Sequence, residues 1–215
     1  MSPWLNNITF GNPFDEMLPY LKKGHYDSIV EELYKFPFPS NDCEATQAEI
    51  RDLVELQNSP EQQDERKISR FVAYDEDLSG IYKKYCNEKI EQNLDELIDE
   101  LIEVSKFIIT KLKYRYQRPR PYQLAQYYKA RLFPYNSKSA NTPSYPSGHA
   151  FQSELLTEVI GSKFPEHYSF LKRLANDVTQ SRMYLGLHYE SDCDFALQCV
   201  NALTTSKEFT AKYGL

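Results

Sequence analysis

Glycine is scarce in this chain, with 7 among 215 residues, and stretches of alternating β-branched residues are almost absent. Little of the sequence suits strands or the tight turns that join them. Long hydrophobic runs are missing too. The strongest lies around Phe107, Ile108 and Ile109, far short of the roughly 18 apolar residues that mark a membrane-spanning helix. No membrane span is therefore expected. The first twenty residues, MSPWLNNITFGNPFDEMLPY, have neither a basic leading region nor an apolar core, so they do not read as a secretory signal. The expected location is cytoplasmic, although export of a processed form is compatible with the same residues. Positive charge is not in excess, with 25 Lys plus Arg against 31 Asp plus Glu and a net charge of −6. A general affinity for nucleic acid or anionic membranes is thereby disfavoured. Cys43, Cys86, Cys193 and Cys199 form no CxxC pair and no metal-like grouping with histidine. They read as reduced thiols, with a Cys193–Cys199 or Cys43–Cys86 bridge as the alternative, and no metal site is expected.

What is present is a helical period. Leu94, Leu97, Ile98, Leu101, Ile102, Phe107, Ile108 and Leu112 recur at i, i+3 and i+4 across residues 91–116, the signature of one buried helix face. Asp95, Glu96, Asp99, Glu100 and Glu103 interleave with them and read as the solvated face. Residues 44–57 and 166–184 also read as helices, and 201–213 as the extension of a last one. Irregular segments are expected at 1–20, around 36–40 and at 131–148, where Pro, Ser, Asn and Tyr cluster. The 17 tyrosines read mostly as core or rim packing with a polar handle. One all-α helical bundle over 1–215 is the expected fold, with an irregular or helical elaboration over about 1–40 and a core over 91–205.

Three short motifs occupy the second half. Lys111 is followed after six residues by Arg118-Pro119. Seven residues are nearly two helical turns, so both cations would share a face. Pro119 disfavours αR at Arg118, which places the helix end there. Arg115 and Arg120 stand close by as ordinary basic residues. Pro146-Ser147-Gly148-His149 precedes a helical apolar pattern at Ala150, Phe151, Leu155, Leu156, Val159 and Ile160. Ser147 is then a natural N-cap, Gly148 lets backbone amides approach a ligand, and the helix start suits an anion. Ser181-Arg182, His188 and Asp192 form the third motif, with Gly186 as the expected break after the 166–184 helix. Asp192 lies four residues after His188 and faces it if a helical turn begins there; alternatively Ser191 caps the next helix with Asp194. Either arrangement puts a carboxylate near Nδ1 of His188 and leaves Nε2 as nucleophile or ligand. His25 and His167 have no comparable neighbours and read as structural or surface residues.

These motifs resemble the type 2 phosphatidic acid phosphatase superfamily, which embraces class A acid phosphatases, integral-membrane lipid phosphatases and vanadium haloperoxidases. The pattern is Lys-x6-Arg-Pro, Pro-Ser-Gly-His and Ser-Arg-x5-His-x3-Asp, and the clear resemblance spans about 111–200. The resemblance implies an all-α bundle of that type and a metal-independent phosphomonoesterase with a phosphohistidine intermediate. His188 would attack, Asp192 would orient it, and His149 would protonate the leaving oxygen and then activate water. Lys111, Arg118 and Arg182, with Ser147 and the Gly148 amide, would hold the phosphoryl oxygens. No cofactor is implied for a phosphatase; vanadate would act as inhibitor. Under the haloperoxidase alternative, vanadate would be the cofactor, bonded to His188. A non-catalytic oxyanion-binding protein is a third reading. The implied partner is a small-molecule phosphoester or phosphate, with no nucleic acid and with homo-oligomerisation left open.

Overall fold

The computed structural model describes residues 3–24 and 26–215, and His25 lies outside the described residues. Among the described residues there is no strand, and the fold is all-α. The α-helices run in the order α1 (Asp27–Leu33), α2 (Glu44–Gln57), α3 (Glu65–Glu76), α4 (Leu78–Tyr85), α5 (Asp95–Tyr116), α6 (Pro121–Ala125), α7 (Gly148–Lys163), α8 (Pro165–Tyr184), α9 (Glu190–Thr204) and α10 (Lys207–Tyr213).

The centre is α7. Ala150, Phe151, Leu155, Leu156, Val159 and Ile160 are all fully buried, so this helix is apolar around much of its circumference rather than along one stripe. Such a helix must be surrounded, and α4, α5, α8 and α9 pack around it. Each fully buried Leu, Ile or Phe contributes about 1.5–3 kcal/mol relative to exposure, and α7 supplies much of that layer. The core is tied by polar handles as well: Tyr82 Oη donates to the Ser153 carbonyl at 2.9 Å and meets Thr157 Oγ1 at 3.0 Å. The acidic face of α5 is partly bridged to neighbours, with Lys83 on Asp99 at 2.6 Å and Tyr213 Oη donating to Glu100 at 3.0 Å.

Three segments differ from the sequence expectation. Residues 1–20 contain short 3-10 helices at Pro3–Asn7 and Asp15–Leu21, and the second packs on α5. The first is pinned by Asn41, whose Nδ2 donates to the Leu5 and Ile8 carbonyls at 2.9 and 2.8 Å. The 201–213 stretch is not one helix: it breaks after Thr204, and Ser206 caps a new start by accepting the Phe209 N–H at 3.3 Å. Residues 65–85 form α3 and α4, to which the sequence analysis assigns nothing. All four cysteines are free. Among the described residues no helix is long and apolar enough to cross a membrane.

Candidate active site

The C-terminal ends of α5 and α8 and the N-terminal ends of α7 and α9 converge on one cavity of about 380 Å³. Its wall includes Lys113, Arg120, Gly148, His149, Arg182 and His188, and Glu16, Met17 and Tyr20 of the 3-10 helix Asp15–Leu21 form part of the rim. Each chemical group is delivered by a local device. α8 ends at Tyr184, and Gly186 takes φ +68°, a left-handed turn that glycine enters without steric cost. The turn releases His188 toward the cavity. α9 then begins at Glu190, and Asp192 accepts the Tyr189 N–H at 3.1 Å with Oδ2. Ser191 is therefore not the cap of α9, and the carboxylate that closes the first turn belongs to Asp192.

That same Oδ2 receives His188 Nδ1–H at 3.0 Å. The tautomer follows: Nδ1 carries the proton and Nε2 carries the lone pair, which accepts from Arg120 Nη1 at 2.8 Å. His188 is buried, and burial, reinforced by Arg120, Lys113 and Arg182, holds its pKa well below 6.5. The imidazole is neutral. His149 donates from Nε2 to the Asp75 carbonyl at 3.2 Å, which leaves Nδ1 as its basic nitrogen. Burial, then Arg182, lowers its pKa to about 3, against the opposing pull of Asp75.

Three cations share the wall. Lys113 donates to the Pro143 carbonyl, and burial, then Arg120, drives its pKa well below the lysine norm. Arg120 donates from Nε to the Thr142 carbonyl at 2.8 Å and from Nη1 to the Leu187 carbonyl at 2.9 Å; burial lowers its pKa to about 10. Arg182 pairs with Asp75 Oδ1 at 2.8 Å, while its Nε and Nη1 are buried and have no hydrogen-bond partner among the described residues. Burial pushes the Asp75 carboxyl up, but Arg182, the Ser137 hydroxyl and His149 outweigh it and bring the net value below normal. Buried cations crowded to this degree, with guanidinium donors unspent, make an anion site.

Two of the expected phosphate contacts are not at the cavity. Lys111 points away from it and pairs with Asp27. Arg118 lies behind the nucleophile, bonding Asp192 Oδ1 at 2.6 Å and Glu49 Oε2 at 3.1 Å. The reason is register. The run KLKYRYQRPRP holds the Lys-x6-Arg-Pro pattern twice, at Lys111/Arg118 and at Lys113/Arg120. Lys111 and Lys113 are two apart on α5 and so about 200° apart, and Lys113 faces inward; Arg118 and Arg120 lie beyond the end of α5 at Tyr116, and there too the second copy faces the cavity. Ser147 is also displaced from its expected role. Its Oγ caps α7 by accepting the Ala150 N–H at 3.4 Å, and only Gly148 of that pair lines the cavity. Gly148, His149, Arg182 and His188 are at the cavity and Asp192 directly behind it. Asp75, missed in the sequence, ties Arg182 and His149 to α3; no short motif around it announces that role. His167 is structural, with Tyr85 Oη 2.9 Å from its Nδ1.

Residues 101–198 match the family model of the PAP2 superfamily. That stretch, a little under half of the chain, is what is similar to the PAP2 superfamily. A non-specific acid phosphatase of Salmonella typhi is 30% identical over 118 residues, covering 54% of this chain and 47% of that protein. Another, from Salmonella typhimurium, is 37% identical over 79 residues, covering 37% of this chain and 31% of that protein. The chain thus spans about half or less of the length of the curated relatives it matches. Among solved structures, a transmembrane PAP2 type phosphatidylglycerolphosphate phosphatase from Bacillus subtilis covers 92% of both chains at 16% identity, with a TM-score of 0.42. The PAP2 match encloses both copies of the Lys-x6-Arg-Pro pattern and all of the other two motifs.

Proposed function

We propose that this protein is a metal-independent phosphomonoesterase that works through a phosphohistidine on His188. One observation carries the reading: a neutral imidazole, its Nδ1–H fixed on a buried carboxylate, presents Nε2 into a wall of three buried cations. Phosphoryl transfer asks for this combination, a positioned nucleophile and neutralisation of the equatorial oxygens. A phosphoester that displaces the Arg120 bond from Nε2 frees the lone pair, and Arg120 turns its N–H to a phosphoryl oxygen. Lys113 and Arg182, with the Gly148 amide at the start of α7, take the others. The Nε2 lone pair forms the N–P bond while the P–O ester bond breaks toward the leaving oxygen. His149, protonated at Nδ1 by the phosphoester monoanion as it binds, gives that oxygen its proton. It then takes a proton from water as the oxygen of that water attacks phosphorus, and the N–P electrons return to Nε2.

The similarity to non-specific acid phosphatases supports small phosphomonoesters as substrates. Among the described residues no group of three or more His, Cys, Asp or Glu is placed to hold a metal ion, and activity is expected to survive EDTA. The decisive experiment uses wild type and His188→Ala on a panel of aryl and alkyl phosphates. Labelled enzyme quenched into alkali should retain a phosphoramidate on wild type and none on the mutant. An unchanged rate in folded His188→Ala rejects the assignment.

A further inference from the structure

Behind the nucleophile lies a polar assembly that the phosphate chemistry does not use. Arg118 is fully buried and does not line the cavity. Its guanidinium lies 3.8 Å from the centroid of the Tyr189 ring, close enough for a cation–π contact. Nη1 donates to Asp192 Oδ1 at 2.6 Å and to Ser191 Oγ at 2.8 Å. Nη2 donates to Glu49 Oε2 at 3.1 Å and to Thr46 Oγ1 at 3.4 Å. Glu49 uses its other oxygen to accept the Ser191 N–H at 2.7 Å. One continuous line therefore runs from α2 through Arg118 and Asp192 to Nδ1 of His188.

We propose that Arg118 and Glu49 are positioning residues for His188, Arg118 holding the Asp192 carboxylate charged and turned toward Nδ1, and Glu49 holding Arg118 and the first turn of α9 in place. The inference rests on the nucleophile reading above. Asp192 is wholly buried, and a carboxylate there without a cation would take up a proton. The charged groups that face it are Arg118, Glu49, Lys113, Arg120 and His188, with the Tyr145 and Tyr189 hydroxyls and the Cys193 thiol beside them. Lys113, Arg120 and His188 belong to the cavity and change when an anion binds. Arg118 and Glu49 do not, so they keep Asp192 constant through the cycle. That constancy matters when Nε2 bonds to phosphorus, because the ring then becomes cationic and Asp192 offsets its charge. Arg is specified by the fork: its two Nη groups serve Asp192 and Glu49 together, whereas an ammonium is a single point.

The test compares Arg118→Lys, Arg118→Gln and Glu49→Gln with Arg120→Lys. If Arg118 positions, Arg118→Gln loses kcat by about 10–100-fold, by analogy with the partners that orient metal-binding histidines from behind. KM and the inhibition constant of inorganic phosphate hold. Arg118→Lys recovers part of kcat, and Glu49→Gln falls between. Arg120→Lys raises KM and the phosphate constant instead. The second readout needs no turnover: the His188 Nδ1–H proton resonance, downfield in wild type, moves upfield in Arg118→Gln. Should Arg118→Gln refuse to fold, Arg118→Lys and Glu49→Gln carry the same two readouts. A phosphate constant that rises in step with the loss of kcat overturns the proposal and makes Arg118 an anion ligand. So does an unmoved His188 resonance, or an undiminished kcat. A wild type that hydrolyses no phosphomonoester, with a His188 resonance still governed by Arg118, defeats the phosphatase reading and upholds the brace.

Discussion

At the scale of the residue, the decisive fact is which copy of a doubled motif turns inward. Lys111/Arg118 and Lys113/Arg120 satisfy the same spacing, and the phase of α5 separates the two lysines. The prediction is asymmetric. Lys113→Met and Arg120→Met should each lower kcat/KM on an aryl phosphate by about 10²–10³-fold, the usual loss for a preorganised donor to developing charge. Lys111→Met, which breaks only a pair with Asp27, should leave kcat/KM near wild type. A loss at Lys111 equal to that at Lys113 contradicts the register. The apolar period does not fix that phase: Lys111 stands four and three residues after Phe107 and Ile108, and Lys113 four after Ile109. The fold decides it, because Ile109 and Thr110 line the cavity. The bond of Arg118 to Asp192 was not legible either, because it joins residues 74 apart in the chain and no local pattern encodes it.

At the scale of the element, the helices that the apolar period reveals are those with a large continuous face, α2, α5, α7 and α8. The boundaries of α2 and α8 fall within a residue of expectation. α3 escaped because charged residues make up half of it, and α4 because it is short, and their buried apolar side chains, Phe71, Tyr74, Leu78 and Tyr82, are few. A capping signal was nonetheless there. Asp64 accepts the Arg66 and Lys67 N–H groups at 3.0 and 3.2 Å, and Asp77 accepts the Gly80 N–H at 2.9 Å. The break in 201–213 was missed because apolar period continues through it while Ser206 restarts the backbone. The turn between α8 and α9 carries the clearest prediction. A Cβ on Gly186 would sit 3.3 Å from the Pro134 Cα, at a φ of +68°. Left-handed backbone costs a non-glycine residue about 1–3 kcal/mol where it is enforced. Gly186→Ala should therefore lower stability by roughly that amount in denaturant titration. It should also reduce kcat, because His188 is two residues downstream. Retained kcat with normal stability would show that this turn does not position the nucleophile.

At the scale of the whole molecule, burying two neutral imidazoles beside three cations links folding and turnover to pH. His188 and His149 both have folded pKa values below the unfolded value of about 6.5. The unfolded chain then binds more protons, so stability rises with pH through that window and is lost as pH falls below about 6.5. The slope is at most about 1.4 kcal/mol per pH unit for each imidazole. The raised pKa of Asp192, set by burial against Arg118, works in the opposite sense and acts nearer the carboxylate range. Denaturant midpoints should therefore fall between pH 7 and 5, and added phosphate should flatten the fall by giving the cations a counter-charge; a flat profile without phosphate would place a charged imidazole in the fold. The same depression shapes catalysis. In the free enzyme His149, at about 3, holds no spare proton at neutral pH, yet the leaving oxygen needs one. The proton must enter with the substrate, as the monoanion of a phosphoester whose second pKa is about 6. The alkaline limb of kcat/KM should thus follow the substrate's own ionisation, while the acid limb, set by protonation of His188, lies well below 6.5. Phosphoesters graded in second pKa test this directly. A limb that moves with the substrate confirms delivery of the proton by the monoanion, and a limb that stays fixed across the series assigns it to His149.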